Sequence, residues 1–136
     1  MKKLTPQEAA IYLMVIISAS DREMDDSELA RIGAIVRTLP AFRDFEQSQT
    51  LLVAQDCQKW LQRENGLDEI LDAASAAIPE TAHDMVYAIA VDVAIANLKV
   101  RPEEVRLLQI LRERLTLDRA TVTAIERAAK ARHRTF

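Results

Sequence analysis

The chain has 136 residues, the size of one compact domain (1–136), and its net charge of −3 argues against nucleic acid as a partner, because phosphate binding needs a concentrated positive field. Its composition is 49% hydrophobic and 29% charged with only 2 Gly and 4 Pro, which favours an ordered all-α fold over a sheet or a disordered chain. A single cysteine permits no internal disulfide, and no apolar run reaches the ~20 residues that cross a bilayer, so we expect a cytoplasmic protein without membrane insertion.

The first predicted helix covers about 6–20 and begins with three agreeing signals in Thr5-Pro6-Gln7-Glu8. They are a capping threonine, a proline at the first helical position and a glutamate at capping-box spacing. Apolar side chains cover nearly all faces of this helix, with Ile11, Met14 and Val15 outside its main apolar stripe. We therefore expect it to be central and surrounded by other helices.

Three more helices are predicted before residue 80. The second begins at Asp25, has Glu28 at capping-box spacing, and ends near Leu39 because Pro40 follows. Apolar spacing predicts a third helix over about 45–64, closed by Asn65-Gly66 as a left-handed stop. A shorter fourth helix over about 67–78 ends before Pro79 and forms the middle helix pair with the third.

The second half of the chain repeats the first at an offset of 76 residues, since Thr5 maps to Thr81. A fifth, strongly apolar helix is predicted over about 82–97, and a sixth from Pro102 with an apolar face of Val105, Leu108, Leu111 and Leu115. A seventh helix is capped near Asp118 and runs to about Arg132. The match predicts an internal duplication: two helical hairpins, about 5–39 and 81–115, related by a pseudo-twofold axis around the middle pair.

The link between the first two helices is the main candidate site, with five carboxylates in eight residues: Asp21, Glu23, Asp25, Asp26 and Glu28. Clustered oxygen ligands favour hard cations such as calcium, magnesium or manganese, and Asp21, Asp25 and Glu28 could converge at the helix end. The alternative is structural, with Asp25 as the cap and the other carboxylates complementing the helix dipole. The segment is not an EF-hand loop, because the sixth residue from Asp21 is Asp26 and not glycine.

Two other residues are candidates of a weaker kind. Asp92 interrupts the fifth helix, and a carboxylate on a central helix is either paired or functional; Arg106 or Arg112 is the expected partner. Cys57 lies on an apolar face and is expected to fill the core. No spacing of residues indicates a zinc site, a phosphate loop or a catalytic nucleophile, so no catalytic residue is assigned and we expect a protein that is not an enzyme.

The chain has an apolar helix, an acidic link beginning Ala-Ser-Asp and a helix starting Asp-Asp-Ser-Glu-Leu, and the second half repeats this pattern in outline after a middle helix pair. This pattern resembles the TerB-like family of bacterial tellurite-resistance proteins. The TerB-like segment of membrane-anchored DnaJ-type co-chaperones is similar. The resemblance covers about 5–127 and implies an all-helical cytoplasmic domain that binds a metal ion. By this resemblance the ligands are Asp21 and Glu28 in the first repeat and Glu104 in the second, where Asn97-Leu98 stands in place of the usual Asp-Gly pair.

The sequence therefore predicts a non-enzymatic TerB-like module that binds a divalent metal ion through Asp21, Asp25, Glu28, Asn97 and Glu104. The resemblance implies a role in bacterial stress response such as tellurite resistance, with other proteins as partners and a homodimer as one candidate assembly. The alternative is a helical protein-protein interaction domain that has kept the fold and lost metal binding. Leu98 and Lys99 favour it, because they stand where a ligand-bearing turn is expected.

Overall fold

The computed structural model describes residues 1–19, 24–96 and 100–136. Within those residues the chain forms seven α-helices and no strand, which confirms the all-α prediction. The helices are α1 (Pro6–Ala19), α2 (Asp26–Thr38), α3 (Thr50–Leu61), α4 (Gly66–Ala77), α5 (His83–Ile95), α6 (Pro102–Arg114) and α7 (Arg119–Arg132). Short 3-10 turns at Pro40–Phe42, Gln47–Gln49 and Glu80–Ala82 lie between them. No helix in the described part of the chain has the length and apolar character to cross a membrane.

Helix α1 is the centre of the fold, as its sequence predicts. The Thr5 hydroxyl accepts a hydrogen bond from the Glu8 N–H at 3.1 Å, and the Glu8 carboxylate accepts one from the Thr5 N–H at 2.9 Å. This capping box fixes the start of the helix. Every residue of 9–19 is buried, because α1 packs against α3, α4, α5 and α6. The two most apolar helices, α1 and α5, pack against each other.

Helix α5 begins one residue after its predicted start, without the threonine cap that the match of Thr5 to Thr81 implies. Instead of a cap at Thr81, a 3-10 turn covers Glu80–Ala82, and the N-cap residue Ala82 makes no side-chain hydrogen bond. The buried His83 explains the later start, since its Nε2–H donates to the Ile78 carbonyl at 3.0 Å and its Nδ1 accepts from the Thr116 N–H at 2.8 Å. These two bonds fix the first residue of α5 between the end of α4 and the link after α6.

The start of α3 and its boundary with α4 also differ from the sequence prediction. Helix α3 begins five residues later than expected, because 3-10 turns at Pro40–Phe42 and Gln47–Gln49 precede it. Phe42 of the first turn and Phe45, between the two turns, pack edge to face at 6.0 Å. Asn65 is left-handed, with φ 60°, as predicted, but Gly66 is the first residue of α4. Only glycine fits there, because a Cβ would lie 1.9 Å from the Trp60 carbonyl oxygen.

Helix α6 turns a different face to the core than its apolar spacing predicts. Val105 is 53% exposed, so its predicted inward position is wrong, whereas Leu107, Leu108, Leu111 and Leu115 are buried. The inward position in the first turn belongs to Glu104, which is 0% exposed. Placing Glu104 inward rotates the helix so that Leu107 faces the core and Val105 faces out, since neighbouring positions on a helix differ by about 100°.

Candidate metal centre

Three of the five predicted metal ligands lie in the described part of the chain. Asp25 and Glu28 are at the start of α2, and Glu104 is in the first turn of α6. Asp21 and Asn97 lie outside the described residues. Within residues 1–19, 24–96 and 100–136, no group of three or more His, Cys, Asp or Glu side chains could hold a metal ion. A metal site with three protein carboxylates therefore needs a ligand from one of the two remaining links.

The start of α2 holds two carboxylates side by side. Asp25 Oδ1 accepts hydrogen bonds from the Glu28 N–H and from the Ser27 hydroxyl, both at 2.8 Å. Glu28 Oε1 in turn accepts from the Asp25 N–H at 3.0 Å. The capping predicted for Asp25 is thus present, and it brings the two carboxylate groups to the same helix end. Asp25 is exposed, whereas Glu28 is 2% exposed.

The start of α6 holds a buried glutamate and an arginine. Glu104 Oε1 accepts from the Arg101 N–H and from the Arg101 Nε–H, each at 3.1 Å. The Arg101 side chain cannot accept a bond as Asp25 does, and the Arg101 carbonyl takes the Glu104 N–H instead at 3.0 Å. Arg101 Nη2–H also donates to the Ser18 carbonyl at 2.6 Å. The guanidinium group therefore ties the start of α6 to the end of α1.

The two helix starts correspond in the sequence and differ in charge. An offset of 76 maps Asp25 onto Arg101 and Glu28 onto Glu104. We call Asp25 and Glu28 the first pair, and Arg101 and Glu104 the second pair. The first pair consists of two carboxylates, while the second is an ion pair with N–O distance 3.1 Å. The second pair already contains a positive charge, which opposes the binding of a further cation there.

One atom of the second pair stands out for its burial. Glu104 Oε2 is buried and has no hydrogen-bond partner in the part of the chain that the structure describes. A buried carboxylate oxygen without a partner is costly, and such atoms commonly face an ion or a bound water. Its chemistry suits a hard cation, so Glu104 fits the predicted type of ligand. The Arg101 guanidinium group, which donates to Glu104 Oε1, already supplies a positive charge, so this carboxylate depends less on a metal ion.

Sequence reasoning missed Arg101 and the Ser18 carbonyl at this site. The helix-start pattern of Pro102, Glu103 and Glu104 indicates a role for the acidic residues only. The preceding arginine matches no capping pattern. The signal that could have found it was the offset itself. Comparing position 25 with position 101 shows an acid replaced by a base next to a shared glutamate, which predicts an internal ion pair.

The weaker candidates have structural roles. Asp92 does not pair with Arg106 or Arg112, the partners that the sequence predicts. It contacts Arg132 at 2.6 Å and lies 3.7 Å from His133 at the end of α7. The expected partners were wrong because α5 packs α7, as well as α6, along its length. Cys57 fills the core as predicted, 0% exposed, and burial raises the pKa of its thiol.

A further polar cluster, which the sequence did not reveal, joins α5, α6 and α7. Arg112 Nη1–H donates to the Tyr87 hydroxyl and to Glu126 Oε2, both at 3.0 Å, and the Tyr87 hydroxyl donates to Glu126 Oε2 at 2.5 Å. Burial raises the pKa of Tyr87 to about 12, and the bond to Glu126 adds to the rise. A tyrosine with a raised pKa stays neutral and donates, so this cluster holds helices together and lacks an activated base.

Comparisons of the chain with protein-family models, with curated proteins and with solved structures find no match.

Proposed function

We propose that this protein is a non-enzymatic, TerB-like helical module that binds one divalent cation at the first pair, with Asp21 as a third ligand. The observation that carries the proposal is the charge difference between the equivalent helix starts. Where the second half places Arg101 beside a buried glutamate, the first half places Asp25 beside the 2% exposed Glu28. Two carboxylates held on one helix turn repel each other, and a bound cation offsets that repulsion.

The ligand chemistry favours calcium, magnesium or manganese. All the side chains proposed as ligands offer oxygen atoms, which hard cations prefer, and no histidine or cysteine belongs to the set. Kinship with the TerB-like family, a stress-response role such as tellurite resistance, a location in the cytoplasm and protein partners or a homodimer belong to the same proposal. Its support is the repeated apolar helix and the acidic link of the first half.

The first test is a thermal titration with calcium, magnesium and manganese. An ion that binds only the native state should raise the melting temperature as its concentration rises. The free energy of unfolding should increase by about 2.7 kcal/mol at a hundredfold excess over Kd. Asp21→Asn combined with Glu28→Gln should abolish this response and slightly stabilise the ion-free protein, because repulsion falls. The cap at Asp25 is left intact, and glutamine also suits the capping box.

A charge-matched control keeps the interpretation specific. Asp44→Asn combined with Glu69→Gln removes the same number of charges from exposed positions on other elements, and it should leave the titration unchanged. If the natural chain shows no shift with any of the three ions at millimolar concentration, cation binding is refuted. The second candidate, an interaction domain that has lost metal binding, then takes its place; Arg101 favours it, because one half of the molecule already supplies its own cation.

A further inference from the structure

We propose that Arg101 is a built-in cation, whose guanidinium group occupies in the second pair the position that a free ion takes in the first. The comparison with a free ion rests on the proposed function, but the role of Arg101 at Glu104 does not. In this arrangement the second half needs no metal to be stable. Replacing Arg101 by a carboxylate should therefore create a second cation site.

The contacts of Arg101 are those of a bound cation. Its Nε–H donates to Glu104 Oε1 at 3.1 Å and its Nη2–H donates to the Ser18 carbonyl at 2.6 Å. A carboxylate and a main-chain carbonyl are the oxygen donors that calcium commonly takes in proteins. One guanidinium group thus bridges two oxygen atoms that a metal ion could otherwise bind.

The Ser18 carbonyl is a good partner for a positive charge. It belongs to the last turn of α1, where the helix dipole is negative. Helix α1 has no basic residue in its own last turn. Arg101 supplies that positive charge from the start of α6, and the same group neutralises Glu104.

Burial explains why a cation is needed at this place. The Glu104 side chain is 1% exposed and the Arg101 side chain 29% exposed, so the carboxylate is taken out of water more completely than its partner. A buried carboxylate without a counter-charge is strongly destabilising. Glu104 Oε2 has no hydrogen-bond partner within the described residues, so an ion in place of the guanidinium group could bind both oxygens of this carboxylate.

The test counts bound ions in Arg101→Asp. Aspartate at this position can cap α6 as Asp25 caps α2, which preserves the helix start. By isothermal titration with calcium and with manganese, the variant should bind one ion more per chain than the natural protein, and its melting temperature should rise more steeply with ion concentration. An unchanged ion count in a folded variant overturns the proposal.

Arg106→Asp is the matched control, since it makes the same charge change at an exposed position of the same helix. Its ion count should equal that of the natural chain; a gain equal to that of Arg101→Asp would mean that added negative charge alone explains the extra ion. The result also separates the two proposals. If the natural chain binds no ion and Arg101→Asp binds one, only the proposed function is refuted. If each of them binds one ion, only the built-in cation is refuted.

A second measurement decides the matter if Arg101→Asp does not fold. In a double-mutant cycle, Arg101→Ala should raise the unfolding constant roughly tenfold or more when Glu104 is present, because a buried charge is left unpaired. In the background of Glu104→Gln the same substitution should change it less than about threefold, since no carboxylate then needs neutralising. Equal effects in both backgrounds would show that Arg101 does not serve the Glu104 charge.

Discussion

Single residues in this protein show how burial decides the role of a polar group. Tyr12 and Tyr87 are both almost completely buried, at 1% and 0% exposure, one on each central helix. The hydroxyl of Tyr87 lies between Glu126 and Arg112, whereas the hydroxyl of Tyr12 has no partner within the described residues. The two tyrosines therefore contribute differently to stability, although both are core residues of an apolar helix.

Tyr87→Phe should cost about 1 to 3 kcal/mol at neutral pH, because the variant loses a hydrogen bond to a carboxylate. It should also weaken the loss of stability at alkaline pH. A group whose pKa is raised on folding contributes stability that is present below its unfolded pKa, near 10, and is lost as pH rises through its folded pKa. For Tyr87, whose pKa burial raises to about 12, this window is pH 10 to 12.

Urea unfolding followed across that window checks the prediction, with Tyr12→Phe as the matched control. Burial also raises the pKa of Tyr12, so both variants should flatten the alkaline decline. Only Tyr87→Phe should destabilise at pH 7, since the Tyr12 hydroxyl has no partner to lose in the described part of the chain. Equal destabilisation by both would contradict the role given to the Glu126 bond.

At the scale of elements, the orientation of α6 follows from its first turn. Glu104 faces inward beside Arg101, and this sets which leucines reach the core. Leu108 is 9% exposed and Val105 is 53% exposed, although both belong to the apolar face that the sequence predicts. A helix with a buried charged start and an apolar middle presents two different kinds of surface along one face.

Leu108→Ala should destabilise the protein by about 2 to 5 kcal/mol, through lost transfer free energy and a residual cavity. Val105→Ala removes apolar surface of the same helix from an exposed position, so its effect should stay within about 0.5 kcal/mol. Chemical denaturation of both variants measures the difference. Similar values for the two would mean that α6 packs with the face that its apolar spacing alone predicts.

The sequence predicted the helices well where local signals were strong. The starts at Thr5, Asp25 and Asp118 were predicted from side chains that do cap their helices. It failed where tertiary contacts decide the result. His83 moves the start of α5 through bonds to Ile78 and to Thr116, which are 5 and 33 residues away, and no local pattern carries that information.

The candidate site was predictable only in part for the same reason. Capping spacing was enough to place Asp25 and Glu28 on one helix turn, because both belong to a local motif. The contact between Arg101 and the Ser18 carbonyl joins residues 83 positions apart, so it depends on how α6 docks on α1. The pseudo-twofold relation of the two halves stays a prediction, although its central contact, α1 on α5, is present.

Across the whole molecule, stability should be highest at α1 and lowest at α7. Residues 9–19 are buried without a break, and α1 contacts α2, α3, α4, α5 and α6, so their amides can exchange only when the core opens. Helix α7 has a single buried residue, Ala129, while Val122 and Ile125 are partly covered. Its Arg132–Asp92 ion pair involves side chains that are 53% and 36% exposed, and such pairs contribute at most about 1 kcal/mol.

Hydrogen exchange followed by mass spectrometry should therefore show two levels of protection. Amides of α1 should exchange with the free energy of global unfolding, and amides of α7 should exchange faster through a local opening, because fewer apolar contacts must break. Asp92→Asn should accelerate exchange in α7, since the ion pair holds the end of α7 to α5, and it should lower the protection of α1 by no more than about 1 kcal/mol, because the pair is also lost on global unfolding. Protection of α7 equal to that of α1 would show one cooperative unit, in which the ends of α7 are as firmly held as the core.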